Sequence, residues 1–150
     1  MIAQSIQGQT VRLPIRVLMD PGSDFSYIHE RVIPKGAVPK ITVPLATSTL
    51  SGTTAYDRVV ELSGIQLPEF SRSMRINRLF RCYVSNQKGN TDLILGNDFL
   101  TAVGVNCNGE DQTMSWIGNS IPYKPPCYFH HDNKELFYTH FLEDIAPMKL

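Results

Sequence analysis

Residues 17–28 read VLMDPGSDFSYI, and the carboxylate of Asp20 stands where an apolar, strand-favouring run meets a turn. A carboxylate at that junction loses hydration, so it is either the corner of the turn or an acid displayed for general acid–base chemistry. Asp20, Pro21, Gly22 and Ser23 are all turn-building residue types, and Pro-Gly marks a turn by itself. An Asp-x-Gly triplet arises by chance in about one of every two chains of this length, so the remainder of the chain must decide its meaning.

Other reactive residues lead nowhere comparable. Cys127, His130, His131 and His140 are zinc-ligating types, but their spacing matches no standard finger and their flanks are linker-like, so no metal is expected. Ser23 and His29 do not make a hydrolase pair, because the strand-turn-helix elbow that presents such a serine is absent. Trp116 in TMSWIG reads as a half-buried strand residue and not as a base-stacking platform, since no basic groove accompanies it.

Composition narrows the classes further. The 150 residues suit one domain, and a 42% hydrophobic content suffices for a core. Fourteen basic residues balance fourteen acidic ones, so no global field favours nucleic acid or an anionic membrane. The opening MIAQSIQGQTVRLP has no charged n-region and no continuous apolar stretch, which predicts a soluble, non-secreted protein. Three cysteines (Cys82, Cys107 and Cys127) without framework spacing suit free thiols in a reducing compartment.

The elements that must position Asp20 are mostly strands, because ten prolines and ten glycines cut the chain into short β-branched pieces with alternating polarity. Ile2–Ile6 and Val11–Met19 are expected to form a hairpin around Gly8-Gln9, with Pro14 at a sheet edge. Phe25–Ile28 resumes the strand after the turn. Residues 41–68 hold Ser51-Gly52 between two strand-forming flanks poor in bulky residues, which predicts a long hairpin projecting from the body. LFRCYVS (79–85) reads as a buried strand.

DLIL then stops at Gly96, Asn97-Asp98 offers an N-cap, and Phe99, Leu100 and Val103 fall on one face of a short helix ended by Gly104. A last hairpin is expected around Gly118-Asn119. From Pro125 the texture changes; residues 125–150 read as a linker or tail with at most one short helix over Lys134–Glu143, outside a main domain of residues 1–124.

VLMDPGSDFSYI, LSGTTAYDRVVEL, TDLILGNDFLTAVGV and TMSWIGNSIP together resemble the retropepsin-like aspartic proteases, most of all those of Ty3/gypsy-type retrotransposon polyproteins, over roughly residues 8–124. The resemblance implies a mostly β, closed barrel of the acid protease fold, with one short C-terminal helix and a flap hairpin. It implies an endopeptidase without cofactor that acts on extended peptide or polyprotein substrates. Its expected location is cytoplasmic, within retroelement virus-like particles. In such enzymes two carboxylates share one proton around a single water. This chain has a single Asp-x-Gly-Ser turn, so the second Asp20 must come from a partner in a homodimer.

By the same resemblance Asp20 is the catalytic aspartate, Pro21, Gly22 and Ser23 complete the catalytic loop, and Asp24 contacts substrate backbone. Ser51, Gly52 and Thr53 form the flap tip over the substrate, and Gly96–Asp98 start a helix that supports the catalytic loop. A Ser23 hydroxyl donating to the carboxylate would favour an acidic optimum.

Two positions depart from the family's pattern. Pro21 stands where Thr or Ser is usual, and it lacks both the hydroxyl and the N–H that join a hydrogen-bond lattice across the dimer. Weak dimerisation with retained activity is therefore expected. Asn97 stands where relatives carry Arg, leaving Asp24 to find another donor such as Arg12 or Arg16. The rival reading is a non-catalytic dimerisation or spacer module disabled by Pro21. A third reading, a domesticated ubiquitin-pathway-like relative, would require fused recognition domains that are not visible here.

Overall fold

The computed structural model describes residues 1–11, 14–50 and 52–124. The expected helix at 134–143, the tail and the Cys127 cluster lie outside the described residues. In chain order the strands are β1 (Ser5–Ile6), β2 (Gln9–Thr10), β3 (Val17–Met19), β4 (Tyr27–His29), β5 (Lys40–Thr49) and β6 (Gly52–Ser63). There follow β7 (Phe80–Ser85), β8 (Leu93–Leu95), helix α1 (Asn97–Val103), β9 (Asn106–Asn108), β10 (Thr113–Trp116) and β11 (Asn119–Pro122). The protein is mostly β with one α-helix among the described residues.

The main sheet has the order β2-β1-β6-β7-β4-β8-β3, with β5 branching off β6. Its two ends, β2 and β3, do not pair, so where a closed barrel was expected the described residues form a half-barrel. Strands β1 and β2 hold two residues each, too few ladder bonds to carry the sheet around to β3.

The first hairpin is correspondingly shorter than expected. It turns at Gln7-Gly8, both at positive φ (51° and 78°), and pairs Ile6 with Gln9. Pro14 cannot donate to a ladder, and residues 14–16 stay outside the sheet, so the strand begins only at Val17. Instead Ile2 bridges to Gln66, the Ile15 N–H donates to Met1 O, and Val17–Met19 pairs in parallel with Leu93–Leu95.

Strand β6 belongs to two structures. Over residues 53–58 its ladder partner is β5, and from Val59 to Leu62 it lies against β7, with Ile6 of β1 opposite Leu62. Burial follows this division: Val59, Val60 and Leu62 are buried, whereas Gly52, Thr53, Ala55, Asp57 and Arg58 are exposed. The β5–β6 hairpin therefore projects as a two-stranded arm, with Leu50 and residue 51 between the paired Thr49 and Gly52.

Under the sheet, Ile6, Ile28, Leu62, Leu93 and Leu95 pack with Phe99 and Leu100 of α1. Phe99 meets Phe80 edge to face, ring centroids 4.8 Å apart. The helix opens differently from expectation: the N-cap is Gly96, which has no side chain to cap with, while the Asn97 amide turns to Pro21 O and the Asp98 carboxylate accepts from Ser26 and from the Phe99 N–H of the first turn. It ends as the sequence indicated, with Gly104 left-handed at φ 85°. The second sheet, β11-β10-β9, docks on the helix end through buried Trp116, whose indole N–H donates to Val103 O at 3.1 Å. Its hairpin turns at Ile117-Gly118, one residue before the expected place.

Candidate active site

Asp20 owes its position to the parallel pairing of β3 and β8. Met19 lies opposite Leu95, and the Asp20 N–H donates to Leu95 O at 2.9 Å, so the chain leaves the sheet at Asp20. The turn closes by Ser23 N–H to Asp20 O at 3.1 Å, and the Gly22 N–H donates to the Asp20 carboxylate at 3.0 Å. A side chain at position 22 would crowd that oxygen, since a Cβ there would lie 3.2 Å from it.

The helix start holds this turn from the other side. The Asn97 N–H donates to Ser23 O at 2.7 Å, the Asp98 N–H to Asp24 O at 3.3 Å, and the Asn97 side-chain amide to Pro21 O at 2.6 Å. Buried Ser26 donates its hydroxyl to Asp98 at 2.7 Å and accepts the Gly96 N–H at 3.0 Å. Gly96 is needed here, because a Cβ would press into the carbonyl oxygens of Ser23 and Phe25. Three loop carbonyls and one carboxylate are thus satisfied within a few residues.

Two expectations need correction. The Ser23 hydroxyl donates to Phe25 O at 2.8 Å, not to the Asp20 carboxylate, because the turn aims it along the outgoing chain. Arg16 does not serve Asp24. Its guanidinium and backbone N–H bind Asp92, with the closest contact 2.9 Å, and Asp24 stays exposed. Arg12 lies outside the described residues.

Asp92 is buried and also accepts from Arg31 at 3.0 Å. Burial pushes its carboxyl upward, but the Arg16 hydrogen bonds and charge, joined by Arg31, outweigh that and hold it below the ordinary carboxylate value. The arginine–aspartate pair was hidden in the sequence, where Arg16 interrupts an apolar run and Asp92 opens another. A charge inside each run was the available signal.

Asp20, Gly22, Ser23 and Asp24 lie on the floor of a cleft with a volume of about 540 Å³. The arm supplies Leu45–Ser48 and Tyr56 to it, and residues 85–94 form the far wall. Gly52 and Thr53 stand exposed toward the arm's end and do not line the cleft. Ser51 lies outside the described residues. Pro21 faces away, into a second cavity of about 370 Å³ against Asn97, Leu100 and Gly104.

The corner between arm and body is filled by tyrosines, which the sequence reading did not single out. Tyr27 and Tyr56 lie with ring centroids 4.8 Å apart, and Tyr83 stands 6.1 Å and 6.5 Å from them. Burial raises the Tyr27 phenol above its ordinary value, helped by Tyr56, Tyr83, Asp98 and Asp24, so it stays a neutral donor. Other chemistries find less support. His29 Nδ1 accepts the Arg31 N–H at 3.1 Å, and burial pushes the Cys82 thiol well up, away from thiolate reactivity. Among the described residues no cluster of His, Cys, Asp and Glu can hold a metal ion, and no helix is long and apolar enough to cross a membrane.

Neither a family model nor a curated protein matches the chain. Two solved structures are similar in fold. One is the EIAV protease complexed with the inhibitor HBY-793, at 18% identity and TM-score 0.44, covering 66% of this chain and 82% of that one. The other is the retroviral protease-like domain of Ddi1 from Leishmania major, at 16% identity and TM-score 0.43, covering 74% and 82% respectively.

Proposed function

We propose that this protein is a retropepsin-type aspartic endopeptidase that processes the polyprotein of a retroelement of Ty3/gypsy type within its particles. It acts as a homodimer. The observation that carries this reading is the Asp20 carboxylate, held by the Gly22 N–H at 3.0 Å on the floor of a cleft roofed by the projecting arm.

In the dimer each chain contributes one Asp20, and the two carboxylates share a proton around one water. One takes a proton from the water as it attacks the scissile carbonyl, and the other donates to the carbonyl oxygen. Like charges about 3 Å apart cannot both ionise, so activity belongs to the singly protonated pair. The substrate lies as an added strand between arm and floor, with Asp24 at its backbone and Ser51, Gly52 and Thr53 closing over it. Arm closure excludes bulk water from the reacting atoms.

Pro21 favours one alternative, a dimerisation module with little or no activity, since it brings neither hydroxyl nor N–H to the lattice beneath the dyad. The purified chain incubated with a peptide library from pH 4 to pH 7 separates the two. The proteolytic reading expects cleavage that disappears in Asp20→Asn, and a transition-state mimic bearing a hydroxyl in place of the scissile amide should shift the protein to dimer in sedimentation. A protein that stays monomeric with the mimic and cleaves no peptide overturns it.

A further inference from the structure

Beyond the tyrosine packing, the arm is joined to the far wall of the cleft through the side-chain amide of Gln87, which donates to Thr54 Oγ1 at 3.2 Å and to Tyr56 Oη at 3.1 Å. Both acceptors lie on β6 in the stretch whose ladder partner is β5. The arm's own ladder therefore says little about its angle to the body. Gln87 reaches it from a different element, 31 and 33 residues away in sequence.

The segment that carries Gln87 is itself anchored. The Gln87 N–H donates to Ser85 Oγ at 3.2 Å, at the end of β7. Arg31 binds Gly89 O at 3.1 Å and also Thr91 O, while its Nε donates to Asp92 at 3.0 Å. Asp92 is in turn held by buried Arg16. The loop is thus pinned at both ends, and among the described residues it reaches the arm through Gln87.

We infer that Gln87 is a positioning residue: it latches the β5–β6 arm over the cleft, and its release sets how readily an extended peptide enters. This rests on the proteolytic reading only for the peptide, since the latch itself is a property of the free chain. The amide contributes two donors, and Thr54 and Tyr56 contribute hydroxyls that accept them. Release breaks both bonds and leaves the exposed β5–β6 ladder to open more readily than the sheet behind it. The hinge falls near Val59, where β6 passes from the arm into the sheet.

The test is amide hydrogen exchange on the free, full-length chain. Gln87→Ala should speed exchange over residues 53–58 about fivefold, the size of an ordinary side-chain hydrogen bond. Exchange at Cys82 and Val84, in the body of the sheet, should not change. In a Thr54→Val, Tyr56→Phe background, which keeps the ring packing and removes both acceptors, Gln87→Ala should have no further effect. Unchanged exchange over residues 53–58, or an undiminished effect in that background, overturns the latch. If peptides are cleaved, Gln87→Ala should raise KM more than it alters kcat. If none is cleaved by either form, the proteolytic reading fails while the exchange result still stands.

Discussion

The side-chain amide of Asn97 donates to the carbonyl oxygen of Pro21 across 2.6 Å, joining the first residue of the helix to the residue that follows Asp20. Asn97 thereby braces the loop itself, where an arginine at this position would be expected to reach Asp24. The bond runs from the side chain to a backbone carbonyl, so it survives any change of side chain at position 21.

Asn97→Ala should remove this brace and nothing else at the cleft. Stability should fall by about 1 kcal/mol, read from urea unfolding. On the proteolytic reading kcat falls on the order of tenfold, because the loop is no longer held in register, while KM hardly moves. An unchanged kcat would remove Asn97 from the positioning of Asp20.

Gly96→Ala should be far more damaging than its size suggests. The new methyl would lie 2.6 Å from Ser23 O and closer still to Phe25 O, and neither carbonyl has freedom to retreat. A loss of about 3 kcal/mol is expected from such overpacking, visible as a lowered midpoint in thermal or urea unfolding. A loss within experimental error of zero would mean that the loop moves aside.

On the homodimer reading, Pro21→Thr should supply one lattice donor set per chain. Two hydrogen bonds gained by symmetry correspond to roughly a thirtyfold tighter dimer, measured by sedimentation equilibrium. If dimer affinity and turnover both stay as they are, the lattice account of Pro21 is wrong.

On the proteolytic reading, Ser23→Ala should leave the pH dependence of cleavage in place, since the hydroxyl serves Phe25 O and not the carboxylate. The expected change is a stability loss of about 1 kcal/mol. A shift of the acidic limb of the pH profile in this variant would show that the hydroxyl turns to Asp20 during the reaction.

Asp92→Asn should cost about 3–5 kcal/mol near neutral pH, because it removes the charged partner of buried Arg16 and of Arg31. The carboxyl is held below its ordinary value in the folded protein. Its stabilising contribution is therefore complete above the unfolded value of about 3.9 and is lost as the pH falls through the lower folded value. The gap in unfolding free energy between the native protein and Asp92→Asn should narrow in strong acid. A gap independent of pH would contradict the charge pairing.

Much of the local structure was legible before any coordinates. The strand-forming flanks around Gly52, the turn after Met19 and the glycine that ends the helix are local signals, because strand propensity, turn chemistry and left-handed glycine are decided within a few residues. The first hairpin was misread where locality failed: Ile2 and Val17 find their partners at Gln66 and Leu93, and Pro14 breaks the run between them.

By itself, then, the sequence determined that a lone Asp-Pro-Gly-Ser turn ends an apolar strand, that a poorly packed hairpin follows, and that a glycine precedes the helix. Tertiary structure alone decided the rest. It assigned Arg16 to Asp92 instead of Asp24, pointed the Ser23 hydroxyl at Phe25, tied Asn97 to Pro21 and set Gln87 against Thr54 and Tyr56. Except for the Ser23 contact, these join groups more than 30 positions apart. Their partners are chosen by how the sheet curls and what it buries, which no pattern of neighbouring residues encodes.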